Sequence, residues 1–223
     1  MNGPFGAGNG PGERRSFGGP RRSGHHSAPK LSPDDVDAML ATLGRVRFVA
    51  FDFETTGLSA ERDRVVEIGA VAFRLEEVNG QWKTIPDGTY ESLINPGCPI
   101  PPETSAIHGI DDLGVSAAPT FKSALELFLP FIAGSILIAH NAPFDMGFLK
   151  AETIRAGLEA PSNPAYDTIA IAKTAVSGLP SYSLKSLATA FRIQQNAAHR
   201  GGDDARVCME LFIHCINLIH KAN

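Results

Sequence analysis

The sequence has no long apolar run, few cysteines and no excess of positive charge. No stretch approaches the roughly 20 apolar residues that a membrane-spanning helix needs, and the N-terminus has no apolar segment of the secretory kind. Three cysteines, Cys98, Cys208 and Cys215, show neither the close spacing of metal ligands nor the even count of a disulfide framework. We therefore expect a cytoplasmic protein with reduced thiols and no membrane contact.

The composition supplies enough apolar material for one filled core. The chain has 223 residues, of which 43% are hydrophobic and 20% charged. The formal net charge is −4, but residues 1–30 hold five cationic residues and one acidic residue, so the remainder carries −8. An acidic body disfavours contact with polyanions unless several of its carboxylates hold divalent cations, which reverse the local sign.

Residues 1–30 differ in composition from the rest of the chain. They are rich in Gly, Pro, Ser and Arg and poor in large apolar side chains. Such a segment cannot bury enough surface to offset its ordering entropy, so we predict a disordered tail over 1–30 and a folded domain over 31–223. The Arg pairs could add weak, salt-sensitive contact with nucleic acid, but a solvated tail without a specific role is the simpler interpretation.

The order of the predicted elements indicates one α/β domain. A helix is expected to begin after Ser32, which can cap it. The turn at Asn79-Gly80 favours antiparallel pairing of the second and third strands. Strands come first and helices alternate with them later, which is typical of a mixed sheet flanked by helices. The predicted strands are Val46–Phe53, Val65–Leu75, Thr89–Ile94 and Ser135–Ala139, and the later helices are Thr120–Ile132, Pro143–Ala156, Thr168–Ala175, Ser183–Phe191 and Gly202–His220.

The first strand carries two carboxylates where a core strand should be apolar. Alternation puts Asp52 and Glu54 on one face, while Val49, Phe51 and Phe53 fill the other. Two ionised carboxylates side by side in a buried strand repel each other and lose hydration. A divalent cation such as Mg²⁺ or Mn²⁺ would compensate directly. The alternative is a pair at the strand end that accepts hydrogen bonds from the following turn.

A third carboxylate falls in the first turn of a predicted helix. In the segment from Ile138 to Asp145, a buried strand ends in a polar turn and a helix begins. Asp145 lies on the same helical face as Phe148 and Leu149, three and four residues later. An aspartate that interacts with the helix dipole would explain this position equally well.

The last helix begins beside a third acidic motif, His199-Arg200-Gly201-Gly202-Asp203-Asp204. Helical spacing places Asp204 on the apolar face formed by Val207, Cys208, Leu211, Cys215 and Leu218, whereas Asp203 points toward Arg206 and Glu210. We therefore predict Asp204 as the inward carboxylate and Asp203 as the solvated one. His199 lies on the loop before the helix, where it could reach the same centre or remain a surface residue.

Together these motifs resemble the DnaQ-like 3′→5′ exonucleases, which carry four carboxylates and a histidine on a ribonuclease H-like fold. Asp52-x-Glu54, His140-Asn141-x-x-Phe144-Asp145 and His199-x-x-x-x-Asp204 carry the resemblance, over about residues 46–220. The segment Phe51–Leu58 is most similar to the proofreading subunit or domain of bacterial replicative DNA polymerases. The resemblance implies an α/β ribonuclease H-like fold.

The resemblance also implies positions that contact the substrate. The segment from Pro102 to Ile110 resembles the loop that holds the terminal nucleotide, and Tyr166-Asp167-Thr168 matches a recurring segment in which we interpret Asp167 as a helix cap. The implied substrate-binding residues are Thr56, Gly57, Leu58, Glu103, Ile107, His108, Asn141 and Phe144.

The implied chemistry is hydrolysis of the terminal phosphodiester with two Mg²⁺ or Mn²⁺ ions, giving nucleoside 5′-monophosphates. Asp52 would bridge the ions, Glu54 and Asp204 would complete the first site, and Asp145 would serve the second. His199 would be the general base. These five residues are the predicted catalytic set.

The substrate and partners are less closely specified by the motifs. DNA is the expected substrate, and an RNA 3′-end-trimming enzyme or a non-catalytic nucleic-acid-binding module are the alternatives. A DNA polymerase is the protein partner that the resemblance suggests. Because no tail follows the last predicted helix and no clamp-binding peptide is evident, we expect a free-standing exonuclease.

Overall fold

The computed structural model describes residues 28–222. The predicted disordered tail falls largely on residues 1–27, which lie outside this range, so the tail stays a prediction. The described chain begins beside the folded body, because the Ala28 carbonyl accepts a hydrogen bond from Lys173 Nζ at 2.8 Å. Leu31 N then donates to Thr174 Oγ1 at 2.9 Å.

A mixed sheet forms the centre of the fold, as predicted, and it has five strands rather than the four predicted. Its strands are β1 (Phe48–Thr55), β2 (Val65–Val78), β3 (Gln81–Leu93), β4 (Ile136–Ala139) and β5 (Ala165–Asp167), in the order β3-β2-β1-β4-β5. Strand β2 pairs antiparallel with both β1 and β3, whereas β4 is parallel to β1 and β5 is parallel to β4. The central position of β1 places its C-terminal end inside the molecule.

Eight helices accompany the sheet in the described residues. They are α1 (Pro33–Leu40), α2 (Pro102–His108), α3 (Asp112–Val115), α4 (Phe121–Ile132), α5 (Ala142–Arg155), α6 (Thr168–Ala175), α7 (Leu184–Phe191) and α8 (Gly201–Ala222). Helix α1 begins with the predicted cap, since the Ser32 hydroxyl accepts from Asp35 N and the Asp35 carboxylate accepts from Ser32 N.

The two faces of β1 pack against different helices. Phe48 and Ala50 belong to a core cluster with residues of α1, α6, α7 and α8. Val49, Phe51 and Phe53 belong to a second cluster with residues of α4 and α5. Because Asp52 and Glu54 continue the Phe48–Ala50 face, the alternation predicted for this strand directs both carboxylates toward the α8 side.

The hairpin between β2 and β3 is longer than predicted. Asn79 and Gly80, both at positive φ of 54° and 74°, make the two-residue turn, and β3 starts at Gln81 rather than at Thr89. Pro86 lies within β3 and is tolerated there, because β3 is an edge strand, where a missing N–H does not break the sheet.

Three short elements and one core position were not predicted correctly. Strand β5 and helices α2 and α3 have three, seven and four residues, too few for a clear hydrophobic period. On α8, Leu218 is 40% exposed, whereas Ile219 is 6% exposed and continues the buried face. The apolar stripe is centred on Phe212, Cys215 and Ile219, so Leu218 lies at its edge.

Candidate active site

Four carboxylates and one histidine converge at the C-terminal end of β1, and Glu54, His199 and Asp204 form the tightest group. One ligand atom from each of the three lies within 4.8 Å of the others. Glu54 is supplied by the central strand and Asp204 by the first turn of α8. Strand β1 packs against α8 on this face. The structure therefore brings together residues that lie about 150 positions apart in the sequence.

Asp145 approaches the same strand from α5. Its side chain is 2% exposed, and its Oδ1 accepts a hydrogen bond from Phe53 N at 3.1 Å. Phe148 and Leu149, on the same helical face, are fully buried in the second core cluster. Asp145 is therefore bonded to the residue of β1 that lies between Asp52 and Glu54. This position is consistent with the prediction that Asp145 points inward.

The backbone of His199 is hydrogen-bonded to the side chain of Asp204. His199 adopts a left-handed conformation at φ 62°, and its N–H donates to Asp204 Oδ2 at 3.0 Å. The His199 side chain is exposed, while Asp204 is 7% exposed. A bond between the two residues leaves the imidazole facing the solvent side of the carboxylate group, where a substrate could reach it.

Asp203 is not the solvated residue that the sequence suggested. It does point toward Arg206, whose Nη2 lies 2.7 Å from Asp203 Oδ1. Its other oxygen accepts from Asn196 N and Ala197 N at 2.8 and 2.9 Å, and its side chain is only 10% exposed. These bonds hold the loop before α8 and hold the pKa of Asp203 below its usual value despite partial burial.

Burial and mutual repulsion disfavour the charged forms of the convergent carboxylates. Burial, followed by the charges of Asp204 and Glu67, raises the pKa of Asp52 to about 8. Burial, followed by Asp52 and Asp204, raises the pKa of Glu54 to about 9. Burial raises the pKa values of Asp145, where Asp52 is the next cause, and of Asp204. Without a counter-charge, Asp52 and Glu54 would hold protons at neutral pH.

The site fits a divalent cation. The donors are all carboxylate oxygens apart from one imidazole, which suits a hard ion such as Mg²⁺ or Mn²⁺. Asp204 Oδ1 is buried and has no hydrogen-bond partner in the described chain. A buried acceptor without a partner is costly, and a bound cation would satisfy this oxygen.

Two of the residues assigned to substrate by resemblance expose large apolar side chains. Leu58 is 75% exposed and Ile107 is 58% exposed, and Glu103 is exposed as well. Ile107 and Glu103 lie on α2, a helix that ends in left-handed Gly109. Exposed apolar groups of this size are available for contact with a flat base.

His108 is buried, unlike its neighbours on α2. It is 5% exposed, and its Nδ1 accepts from Ile110 N at 3.1 Å, so the proton resides on Nε2. Burial is the main cause that lowers the pKa of His108. A sugar or base contact would therefore have to come from Nε2 of a neutral ring, acting as a donor.

The remaining predicted substrate positions surround the end of β1. Thr56 is fixed by two hydrogen bonds with Arg64, and Gly57 lies so close to the Asp63 carboxylate that a Cβ would overlap it. Asn141, at φ 70°, exposes its side chain, and its N–H donates to Asp167 Oδ1. Phe144 is half-buried against Phe148. Asp167 also accepts from Ile169 N at 2.8 Å and so caps α6, as predicted.

A fifth acidic side chain, which was not predicted from the sequence, lies beside this group. Glu67 on β2 pairs in register with Glu54 and is 4% exposed. Both of its oxygens are bonded to the start of α8, through Arg200 and Gly201 N. No local sequence pattern predicts the pairing of Glu67 with Arg200, since the two residues lie 133 positions apart.

Comparison with known proteins identifies the family. The family model described as Exonuclease (RNase_T) matches residues 49–212. The chain belongs to this exonuclease family. The DNA polymerase III subunit epsilon of Treponema pallidum is 41% identical over 194 residues, which cover 81% of this chain and 86% of that protein. A PolC-type DNA polymerase III of Caldanaerobacter subterraneus is 36% identical over 174 residues, but the match spans only 12% of that longer protein.

Solved structures of exonucleases share this fold. Exonuclease X in complex with 5′-overhanging duplex DNA is 27% identical with a TM-score of 0.54, over 77% of this exonuclease and 90% of that chain. Exonuclease I of E. coli in complex with a dA16 oligonucleotide is 18% identical with a TM-score of 0.63, over 75% of this chain and 40% of that one. The predictions of a DnaQ-like exonuclease and of a ribonuclease H-like mixed sheet are confirmed.

Among the helices within residues 28–222, none combines the length and the hydropathy needed to cross a bilayer.

Proposed function

We propose that this exonuclease shortens DNA from the 3′ end and releases nucleoside 5′-monophosphates. The observation that carries the proposal is the convergence of Glu54, His199 and Asp204 within 4.8 Å, beside half-buried Asp52 and buried Asp145. The printed names of the relatives support DNA: one is a DNA polymerase subunit and another was solved with duplex DNA.

Asp52, Glu54 and Asp204 would hold one divalent ion, and Asp145 would contribute to a second. Mg²⁺ and Mn²⁺ both suit these oxygen ligands. When bound, two such ions stabilise the charge that develops on the attacking and leaving oxygens. The raised pKa values of Asp52 and Glu54 reflect the same crowding of negative charge that makes the group a cation site.

His199 would accept a proton from the attacking water on an imidazole nitrogen. Its exposed side chain lies beside the carboxylates, and the bond from its N–H to Asp204 fixes its backbone. Leu58 and Ile107 would pack against the terminal base, and Glu103, His108 and Asn141 would contact its sugar or the phosphate end. Thr56, Gly57 and Phe144 would shape the cleft that receives this nucleotide.

The test is digestion of matched substrates in the presence and absence of Mg²⁺. Each strand carries a 5′ label, so removal of 3′ nucleotides gives a descending ladder, whereas 5′ removal gives an immediate labelled mononucleotide. We expect the ladder on single-stranded DNA and on duplex DNA with a mismatched 3′ end. Faster digestion of the matched RNA strand would contradict DNA as the substrate.

Asp52→Ala is the catalytic control. The substitution removes the central carboxylate, so cleavage should disappear while the fold is retained, because the change also relieves repulsion. Glu76→Ala, on the exposed face of the neighbouring strand, is the matched control and should retain full activity. Activity of Asp52→Ala within a few-fold of wild type would overturn the metal assignment.

A DNA polymerase is the partner that this proposal includes. The match covers 86% of a relative named as a polymerase subunit, which supports a partner more than it supports a free-standing enzyme. Co-elution of the full chain with its host's replicative polymerase in size-exclusion chromatography would support the partner, and separate elution at micromolar concentrations would contradict it. A cytoplasmic location stays a prediction from the sequence.

A further inference from the structure

Glu67 is a buried carboxylate beside the active site whose oxygens are fully engaged. It lies on β2 directly opposite Glu54 in the antiparallel register. Arg200 Nη2 donates to Oε1 at 2.7 Å, and Arg200 Nε lies 3.1 and 3.2 Å from the two oxygens. Gly201 N donates to Oε2 at 2.9 Å. A carboxylate with four such contacts has little capacity left for a cation.

The same contacts fix the start of α8. Gly201 is the first residue of the helix, and the Arg200 carbonyl accepts the bond from Asp204 N at 2.9 Å. Glu67 therefore holds the Arg200 side chain and the Gly201 backbone, while Asp204 holds the His199 backbone. Strand β2 can approach this closely because Gly69 has no side chain: a Cβ there would overlap the Gly201 and Gly202 backbone.

The position of His199 depends on these contacts. A non-glycine residue at φ 62° is unfavourable and persists only where its surroundings determine it. The imidazole itself is exposed, so no core packing fixes it. This backbone is immobilised by Asp204, in the first turn of α8, and by Arg200, which directly follows His199 and is bonded to Glu67.

We propose that Glu67 and Arg200 form a positioning pair that places His199 and Asp204 for hydrolysis, and that Glu67 is not a metal ligand. The inference rests on the proposed exonuclease function and deepens it. Arg200 has a second effect, since its charge offsets that of Glu67, which otherwise adds to the repulsion at Asp52 and Glu54. Its side chain is 50% exposed, but Glu67 is buried, so the pair is anchored at its Glu67 end.

Three variants separate a positioning role from a ligand role and from a purely structural one. Glu67→Gln keeps the shape and an oxygen for Gly201 N but loses the charge and the forked contact. Arg200→Ala leaves Glu67 charged and free to turn toward the cation. Arg200→Lys keeps the charge but not the planar fork, and it should recover only part of the activity. Glu76→Gln, exposed on the same strand, is the control.

The measurements are kcat and KM on 5′-labelled single-stranded DNA, Mn²⁺ binding by calorimetry without DNA, and thermal unfolding. For Glu67→Gln we expect kcat to fall roughly 10-fold or more, because small displacements of catalytic groups are costly. KM, the number of ions bound and their affinity should stay within about three-fold. For Arg200→Ala we expect a similar loss of kcat with Mn²⁺ affinity unchanged or tighter, since a carboxylate has been freed beside the site.

Two outcomes would overturn the inference. A loss of Mn²⁺ affinity or stoichiometry in Glu67→Gln would make Glu67 a ligand. A lower melting temperature with wild-type kcat in the folded protein would make the pair structural only. Asp52→Ala separates these failures from failure of the proposed function. If wild type itself does not cleave, the function is wrong. If wild type cleaves, Asp52→Ala does not, and Glu67→Gln matches wild type, only the positioning role is wrong.

Discussion

His199 combines an exposed imidazole with a constrained backbone at the point where the carboxylates meet. Its left-handed conformation would ordinarily be found at glycine or asparagine. The bond from its N–H to Asp204 Oδ2 fixes the backbone without using either ring nitrogen. A base that must accept and release a proton each turnover needs this freedom, since a ring nitrogen tied to a carboxylate would be less available.

We expect His199→Ala to slow turnover by roughly 100-fold or more, because a positioned general base contributes about that much. The affinity for Mn²⁺ without DNA should change little, since the carboxylates remain. His199→Asn, which keeps a polar side chain and tolerates the left-handed backbone, is the matched variant and should be equally slow. Collapse of ion binding, with recovery of rate at high Mg²⁺, would instead show that His199 organises the site.

For single residues, the sequence was most informative where a charged side chain interrupts an apolar pattern. Asp52 and Glu54 stand in a strand of Phe and Val, and strand alternation alone gives their common face. Asp204 could be separated from Asp203 by helical spacing, although Asp203 proved to be bonded rather than solvated. Glu67 could not be found in this way, because its role depends on Arg200, which only the folded chain brings near.

Strand β2 and helix α8 make the contact on which the site depends. Helix α8 packs against both β1 and β2, and its first residues lie directly over Gly69. The absence of a side chain at this position lets the backbone of β2 support the start of the helix. The long hydrophobic face of α8 was predictable from its period, but the closeness of this approach was not, since a lone glycine in a strand has several meanings.

Gly69→Ala should therefore lower both stability and activity. The new Cβ would overlap the backbone of Gly201, which cannot yield as a flexible side chain would. We expect a loss of a few kcal/mol in the free energy of unfolding, in the range of other overpacked sites, and a further fall in kcat of the folded protein as His199 is displaced.

Gly147→Ala is the matched control, because a Cβ at that position in α5 meets only Ala60 Cβ at 3.8 Å. Alanine is also the better helix former, so this variant should be as stable as wild type or more so. Denaturant unfolding and kcat on single-stranded DNA measure both effects. Equal behaviour of the two variants would contradict the close β2–α8 contact.

The chain is acidic, and several of its buried acidic side chains lie at the end of the central strand. The residues outside the N-terminal 30 carry a formal −8, and the folded domain buries Asp145, Glu54, Glu67 and Asp204. The sequence predicted this acidic body and the need for cations in it. The fold explains why these carboxylates lie close together, since the end of the central strand meets the first turns of two helices, α5 and α8.

Stability without metal should therefore depend on pH in the opposite sense to most proteins. Asp52 and Glu54 have pKa values raised to about 8 and about 9 in the fold, against ordinary values of 3.8 and 4.5. Between these limits the folded chain binds more protons than the unfolded chain, so stability falls as pH rises. Their stabilising contribution is fully present below about pH 4 and is lost as pH rises through 8 to 9.

Mg²⁺ should reverse this loss, and its effect should grow with pH. A cation replaces the protons on Asp52 and Glu54, so binding competes with protonation. At about 100 times its dissociation constant, Mg²⁺ adds about 2.7 kcal/mol of stability, and that constant should become smaller between pH 6 and pH 9. We expect the rise in melting temperature on adding Mg²⁺ to be larger at pH 8.5 than at pH 6.0, measured by thermal unfolding. The Asp52→Asn/Glu54→Gln double variant, which titrates at neither position, should show almost no Mg²⁺ effect at either pH. An equal Mg²⁺ effect at pH 6.0 and pH 8.5 in the wild-type protein would contradict this prediction, because it would show that the carboxylates are already ionised in the metal-free fold.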